Sequence, residues 1–578
     1  MAVTTLYEGT HIQEQQDQQR GRHLVASLQI QPGLRVLCES AASAVLYDSE
    51  VPRRCHLSFE LAQNPLRCGG CKHARYANKQ NQRSAWSSGH REECAALAAC
   101  RPHVPPPTVR LVAKLFWRPN WLKSAGQPAF EKAQLRIEAL EHHWVALPDS
   151  KKETYAQMAA LTRHYMQSGK TDQTDLPDTK IIALMLARCA CNNHTICDDE
   201  LRPIGVGLFP TGALINHSCT PNAMQSFKQQ QITFTALQPI APGTEISISY
   251  IELAATHAER RQQLLGQYYF DIDSDLQGGR PGAKALLSCA AGHVSAEAYS
   301  SAPDHMDPAD HALTGAHMAS GSAGDAHVMA FTRSAPTNAD QESFPCSSAH
   351  DSHDMDAIDD SCDVSAGRSL QAAFDAASAS SSFTSGRLPQ ASSAEQPMQD
   401  LVHLQCWGAG FAGINQQQLL ALARHMAHML SQSKACLQSL SSQDPDRAKS
   451  LALSALQLAD HMPAPMKALG SHHIWRMRIQ EALMRACVDL GNDWPMVLSV
   501  GKKLVPVYEL VYPKVWPSKG LHFAMLAKIS VLLERNQEAV QYAGKALQQL
   551  QHTHPHSLVV EEVRQIMFES SRNLETIA

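Results

Sequence analysis

The chain has 578 residues, 44% hydrophobic and 18% charged, with 50 basic against 55 acidic side chains and a formal charge of −5. At roughly one domain per 100–200 residues that length allows several domains, and the charge balance excludes an overall basic coat for nucleic acid. No apolar run approaches the ~20 residues of a membrane span, and the opening MAVTTLYEGTHIQEQQDQQRGR is too polar for a secretory signal.

Residues 20–50 read as β structure. Arg20–His23 is a turn, Leu24–Ile30 an apolar strand, Gln31-Pro32-Gly33 a second turn, and Leu34–Cys38 alternates weakly. From Cys55 to Cys94 the pattern changes to cysteines among short polar stretches. With 16 cysteines diluted over a long chain, these read as cytosolic or nuclear thiols and metal ligands, not as a disulfide framework. Cys68-Gly69-Gly70-Cys71 offers two thiolates from a tight knuckle, and His90 and Cys94, four apart, share one side of a helical turn. The set Cys68, Cys71, His90 and Cys94 suits tetrahedral zinc with no open position. Scattered reduced thiols beside a surface histidine are the plainer alternative.

Prolines at 102 and 105–107 precede helical periodicity from Val109 to about Met166 and from Lys180 to Cys191. Short strands return over 204–250, with Ile232–Ala236 and Glu245–Tyr250 flanking the turn Ala241-Pro242-Gly243, and a helix covers Ala254–Gln267. Residues 278–400 are dominated by Ala, Ser, Asp, His and Met without a sustained period. They read as a disordered insert that cannot bury enough apolar surface to offset its ordering entropy. Helical periods resume from Leu401. Ala482–Leu490 and Trp494–Tyr508 flank the turn Gly491–Asp493, and His522–Leu533 and Glu538–Gln549 flank Glu534–Gln537. Two such pairs read as stacked hairpins of tetratricopeptide type, with an ordinary antiparallel bundle as the alternative.

Asn216-His217-Ser218-Cys219-Thr220-Pro221-Asn222 is the most informative stretch. Read bare, it is a polar turn, or a Cys/His pair that lacks a third orienting group. Its surroundings change that reading. The heptapeptide resembles the NHSCxPN signature of SET-domain lysine methyltransferases, and Arg20–Leu24 resembles the opening cofactor loop. Gly205–Pro210 stands ahead of the signature as it does in that family. Pro242–Tyr250 resembles the final SET strand with its tyrosine, and Glu259-Arg260-Arg261 with Gln267–Phe270 the post-SET lead-in. Cys55–Cys94 resembles a MYND zinc finger, with Tyr76 and Trp86 as its aromatic landmarks. Over about 20–270 and 401–578 the whole resembles the SET and MYND domain (SMYD) family.

The resemblance implies an α+β fold, with a β-rich SET core split by a MYND zinc finger and a helical insert and followed by an α-helical tetratricopeptide-like domain. The corresponding boundaries are 1–54 and 192–277 for the SET core with a degenerate post-SET segment, 55–94 for a degenerate finger, 95–191 for the helical insert and 401–578 for the C-terminal domain. It implies a protein-lysine N-methyltransferase using S-adenosylmethionine. Asn216 would bond the methionine end of that cofactor and His217 would present backbone groups to the adenine. Phe270 would stack on the adenine, Asn192 would hold the amino-acid portion, and Arg20 and Arg22 would line the pocket. Tyr250 would direct its hydroxyl at the transferring methyl, and Tyr268 would wall the lysine channel. Each has a plainer reading: core aromatics, a helix-end asparagine, solvated arginines.

The sequence also departs from the family. The first finger ion would need four ligands at 55, 58, 77 and 81, where the chain has Cys55, Ser58, Ala77 and Asn81, so one structural zinc is expected instead of two. A further zinc behind the signature would use Cys219 with positions that read Ile272, Ser274 and Gln277, and is expected to be absent. His23 stands where glycine is usual and adds a side chain, and strain if that position needs positive φ. These losses keep an alternative open: a catalytically weak or inactive scaffold that binds partners through its finger and helical domain. The expected partners are a protein presenting a lysine, from a histone tail or elsewhere, and proteins at the finger and the C-terminal helices. A monomer in nucleus or cytoplasm is expected, with no membrane. Direct nucleic-acid binding is not expected, because no recognition-helix pattern accompanies the basic residues Arg53, Arg54, Arg67, Lys72, Arg75, Lys79 and Arg83.

Overall fold

The computed structural model describes residues 5–6, 11–17, 20–117, 128–168, 176–272, 416–461, 474–555 and 557–577. The stretch 278–400, read as a disordered insert, lies outside them, as do Ser274 and Gln277.

β1 (Thr5–Leu6), β2 (Ile12–Asp17) and β3 (Gly21–Ala26) form an antiparallel sheet. The turn read at Arg20–His23 is shorter than expected. The chain reverses at Gly21, whose φ is +64°, and Arg22 and His23 already belong to β3, paired with Gln16 and Gln15. The partner strand, Ile-Gln-Glu-Gln-Gln-Asp, has no apolar alternation and so gives no strand signal in sequence. His23 is buried in extended backbone, without positive φ, so the strain expected there does not arise. Further on, β4 (Arg35–Ser40) and β5 (Ser43–Leu46) enter two other sheets.

The cysteine-rich segment supplies the β6 (Leu66–Arg67) and β7 (Arg75–Tyr76) ribbon, then α1 (Lys79–Ala85), a π turn over Trp86–His90 and α2 (Arg91–Ala99). Next come α3 (Pro107–Trp117), α4 (Pro128–Ala139), α5 (Asp149–Ser168) and α6 (Thr179–Asn192). The chain returns to the β core through β8 (Asn193–Cys197), β9 (Pro203–Leu208), β10 (Asn216–His217), β11 (Ala223–Lys228), β12 (Gln231–Ala236) and β13 (Ser247–Ile248). β4 pairs with β12, itself paired with β11, while β9 lies between β5 and β8; β10 and β13 run parallel. The cysteine-rich segment, the helices after it and the β core share one set of buried side chains, among them Leu46, Tyr76, Leu97, Leu111, Leu186 and Phe234.

α7 (His257–Tyr268) opens with a reciprocal cap, the Thr256 hydroxyl taking the Glu259 N–H and the Glu259 carboxylate taking the Thr256 N–H. C-terminal helices follow over Gln416–Ser441, Pro445–Asp460, Ile474–Asp489, Trp494–Lys502, Val505–Val511, Pro517–Leu532, Asn536–Leu550 and Leu558–Ile577. The single helix expected over 494–508 is two, interrupted at Lys503-Leu504, because Pro506 is tolerated only in the first turn of a new helix. These helices do not close on themselves alone: Leu201, Met224, Leu237, Leu253 and Ala254 of the first half enter their core. Arg478 adds a fork to Glu259 at 2.8 and 3.1 Å, and the Tyr512 hydroxyl donates to Glu252 at 2.8 Å. No helix among the described residues is long and apolar enough to cross a membrane.

The packing of the last helices can be tested with two glycines. A Cβ on Gly520 would meet Leu550 Cγ at 2.5 Å, whereas one on Gly544 meets nothing within 4 Å. Gly520→Ala should therefore lower stability by about 1–3 kcal/mol through overpacking. Gly544→Ala should raise it by up to about 1 kcal/mol through helix propensity. Denaturant titration of the full chain gives both values, and equal shifts would contradict the contact between helices 517–532 and 536–550.

Candidate functional site

The site is organised where β10 meets β13. Ahead of it, the Glu39 carboxylate accepts the N–H groups of Thr211 and Gly212 at 3.0 and 2.8 Å, fixing the short helical turn that delivers Asn216. Asn216 then pairs with Ser247 and His217 with Ile248, and the Ser218 N–H donates to the Ile248 carbonyl at 2.8 Å. At the far end of the heptapeptide, Asn222 donates its amide to the Glu245 carbonyl at 2.8 Å and accepts the Ser247 N–H at 2.9 Å. The terminal asparagines thus divide the work: Asn222 ties the two segments together while Asn216 turns to the site.

The Asn216 amide donates to the Glu245 carboxylate at 3.0 Å and to the Arg20 carbonyl at 3.2 Å, and the Arg20 guanidinium lies 3.3 Å from the same carboxylate. The Tyr250 N–H donates to His217 Nδ1 at 3.0 Å, so the ring hydrogen sits on Nε2, 3.3 Å from Cys219 Sγ. Desolvation, helped by the Arg260 charge, pushes His217 down to about 3 and keeps it neutral. The His217 ring is 5.5 Å from Tyr250 and 5.9 Å from Phe270, and Tyr268 is 4.8 Å from Tyr250, centroid to centroid. Tyr250 donates its hydroxyl to the Ile215 carbonyl at 2.6 Å, and burial raises its pKa above the ordinary phenol value.

Tyr250 and Tyr268 line a pocket of about 80 Å³ with Asn192, Ile215, Phe227 and Ile248. Among the described residues no Asp, Glu, Lys or Arg lines it; His194 does, but burial pushes it down to about 4. Asn192, the last residue of α6, spends its amide on the Glu141 and Arg188 carbonyls at 2.8 Å each. Six of the expected residues, Arg20, Asn216, His217, Tyr250, Tyr268 and Phe270, are thus linked through direct contacts and their neighbours, and Asn192 adjoins them across the pocket. Arg22 instead makes its contacts toward the helical insert and β2, bonding the Ala139 carbonyl and lying 3.8 Å from Glu14.

The Cys/His set is equally compact. Cys68, Cys71, His90 and Cys94 are all buried, with their ligand atoms within 4.8 Å of one another. Cys68 Sγ lies 3.6 Å from Cys94 Sγ, and Cys71 Sγ 3.8 Å from His90 Nε2. Tetrahedral zinc with bonds of about 2.3 Å to sulfur needs neighbouring donors about 3.8 Å apart, so these residues fit the ion. Gly70 must remain glycine, since a Cβ there would meet Cys94 Sγ at 2.8 Å. The other finger positions do not offer a ligand set. Asn81 donates its amide to Cys55 Sγ at 3.4 Å. Burial opposes ionisation of that thiol, but N–H groups of Ser58 and Ala77 and the Asn81 amide outweigh it and hold its pKa below the usual range.

Three contributors escaped the sequence reading. Glu245 joins Arg20 to Asn216 across 225 residues of chain, which no local pattern announces. Glu93 accepts from His90 Nδ1 and His56 Nε2 at 2.9 Å each, leaving His90 Nε2 toward the thiols; its position three after a candidate ligand was the available signal. Lys151 reaches the Gly266 carbonyl and the Tyr269 hydroxyl, again without a local cue.

Comparison with known proteins gives two findings. Residues 21–251 match the SET domain family. Over 258 residues the chain is 34% identical to the histone-lysine N-methyltransferase SMYD3 of Mus musculus, covering 44% of this chain and 58% of the relative. It is 32% identical over 256 residues to the histone-lysine N-methyltransferase ASHR1 of Arabidopsis thaliana, with 44% and 52% covered. It is also 33% identical over 255 residues to the N-lysine methyltransferase SMYD2-A of Danio rerio, with 44% and 57% covered. The aligned part is little more than half the length of these relatives.

Because Glu93 fixes the ring orientation of His90, Glu93→Gln should weaken zinc retention by about 10–100-fold, measured by competition with a chromogenic chelator. Unchanged retention would remove Glu93 from any supporting part.

Proposed function

We propose, from the premise that this is a SET-domain protein of the SMYD family, that it is a protein-lysine N-methyltransferase drawing its methyl group from S-adenosylmethionine. The observation that carries this reading is the uncharged pocket ending on Tyr250 and Tyr268 and adjoining the Asn216–His217–Phe270 cluster. A lysine enters such a pocket at the cost of desolvating its ammonium, which favours the neutral amine needed for attack.

The donor set suits the cofactor. Asn216 and Asn192, whose N–H groups are already donated, keep their amide oxygens for the cofactor's ammonium; Arg20, shared with Glu245, brings a guanidinium to the same edge, and the ring of Phe270 beside His217 offers a flat face for a base. When bound, S-adenosylmethionine supplies an activated methyl on a sulfonium, so the chain is left with alignment. Positioning of this kind recovers ~7–11 kcal/mol of a barrier. Tyr250 keeps its proton and its hydroxyl is held at the Ile215 carbonyl, while Tyr268 packs against its ring and excludes water.

In this reading, 55–94 is a degenerate MYND finger with one zinc held by Cys68, Cys71, His90 and Cys94, and 401–578 is a tetratricopeptide-like domain. The substrate is a protein lysine, from a histone or another protein, and the enzyme works as a monomer in nucleus or cytoplasm. A scaffold that binds partners without transferring methyl is the second reading; it draws on Trp86, left 47% exposed on the finger.

Incubation with labelled S-adenosylmethionine and mixed protein substrates separates the two. Label should enter substrate, and Tyr250→Phe should slow transfer by about 10²-fold with the melting temperature retained. Transfer indifferent to that change, or no cofactor binding by calorimetry, would leave the scaffold. Because burial raises Tyr250 above its ordinary value near 10, the hydroxyl stays protonated below that pH. The rate should accordingly climb with pH as the substrate amine loses its proton, with no falling limb from Tyr250. Metal analysis should return one zinc per chain, lost in Cys68→Ser and kept in Cys55→Ser; two or three would overturn the ligand assignment.

A further inference from the structure

The wall of the site made by Tyr268 and Phe270 lies at the end of α7, where helices lose their backbone partners and fray. Between these two residues Tyr269 adopts a left-handed backbone, φ 62° and ψ 27°. The neighbouring rings meet the site, Tyr268 against Tyr250 and Phe270 against His217. The Tyr269 ring goes elsewhere, 5.1 Å from His143 of the insert, and its hydroxyl accepts from Lys151 Nζ at 2.9 Å. The same ammonium donates at 2.8 Å to the carbonyl of Gly266 in the last turn of α7, where a cation also opposes the negative end of the helix dipole. One residue past Phe270, Asp271 is gripped by Arg261 of α7, with Nε at 2.7 Å.

We infer that Lys151, in the first turn of α5, is a positioning residue for the methyl-donor pocket. It pins the C-terminus of α7 and Tyr269 so that Tyr268 and Phe270 face the site. The inference rests on the methyltransferase reading, since it is the donor that would lie against Phe270. Lys151 is not among the residues lining the pocket; it acts through the turn at Tyr269. The Arg261–Asp271 pair secures the following residue, so the clamp has one anchor on each side of Phe270.

The test is calorimetric binding of S-adenosylhomocysteine to the full chain. Lys151→Met, which keeps the aliphatic stem, should raise Kd about tenfold, as loss of charged hydrogen bonds would. Tyr269→Phe should raise it in the same direction by a smaller factor, and Lys151→Arg should recover most of the affinity. Lys152→Met, on the neighbouring residue whose ammonium pairs, among the described residues, with Asp149 of the same helix, should bind as the wild type does. Phe270→Ala should weaken binding, and adding Lys151→Met to it should cost nothing more, a result that general loss of stability would not give. Wild-type binding with an unaltered Kd in Lys151→Met, or losses that multiply in the double variant, would overturn the positioning role alone. Wild-type protein that binds no donor analogue would overturn the methyltransferase reading and this inference with it.

Discussion

Two residues of parallel strand set the geometry on which the rest depends. Asn216 and His217 lie beside Ser247 and Ile248, and Asn222 locks the register with one hydrogen bond in each direction. With that pairing in place the Tyr250 N–H falls on His217 Nδ1, its hydroxyl on the Ile215 carbonyl, and Glu245 between Arg20 and Asn216. A slip of one residue would turn every side chain of so short a pair the other way. The surrounding sheets, with Gly205 pressed against the Val45 carbonyl, hold the ends of these segments close enough for it to form.

Electrostatics and covalent economy are arranged differently in the two clusters. At the cleft, no Asp, Glu, Lys or Arg among the described residues lines the pocket, and Arg20 and Glu245 answer each other around Asn216 instead. Beside the Cys/His cluster, charge is buried outright. Glu93 lies among His56, His90 and Lys114, and burial works against its ionisation, yet those neighbours hold its carboxyl well below the usual range. Where a second set of metal ligands would have stood, a thiol is satisfied by amide donors instead. Hydrogen bonds are weaker than coordination bonds, but they satisfy a buried polar atom at little cost.

What could be read from the sequence was local. The heptapeptide, the glycine knuckle and the pair His90/Cys94 declare themselves because turn chemistry and helical spacing act over a few residues. The helices at 149–168 and 179–192 follow from their apolar period. β2 stayed hidden because its six residues are nearly all polar, so that only its pairing with β3 makes it a strand. The break at Lys503-Leu504 has a local cause in Pro506, which a helical period alone does not register. Contacts such as Arg20 with Glu245, or Lys151 with Tyr269 across 118 residues, are set by tertiary packing and leave no trace in spacing.

The shared core between the first half of the chain and the C-terminal helices has a practical consequence. Leu201, Met224, Leu237 and Leu253 are covered by side chains from beyond residue 416, and Glu259 answers Arg478 with the carboxylate that also caps α7. A shortened chain ending before those helices would carry a greasy scar on the face next to the cleft and a loosened α7. Such a fragment is a poor substitute for the whole polypeptide in the laboratory, prone to clump, and its silence in an assay would say little about the intact molecule.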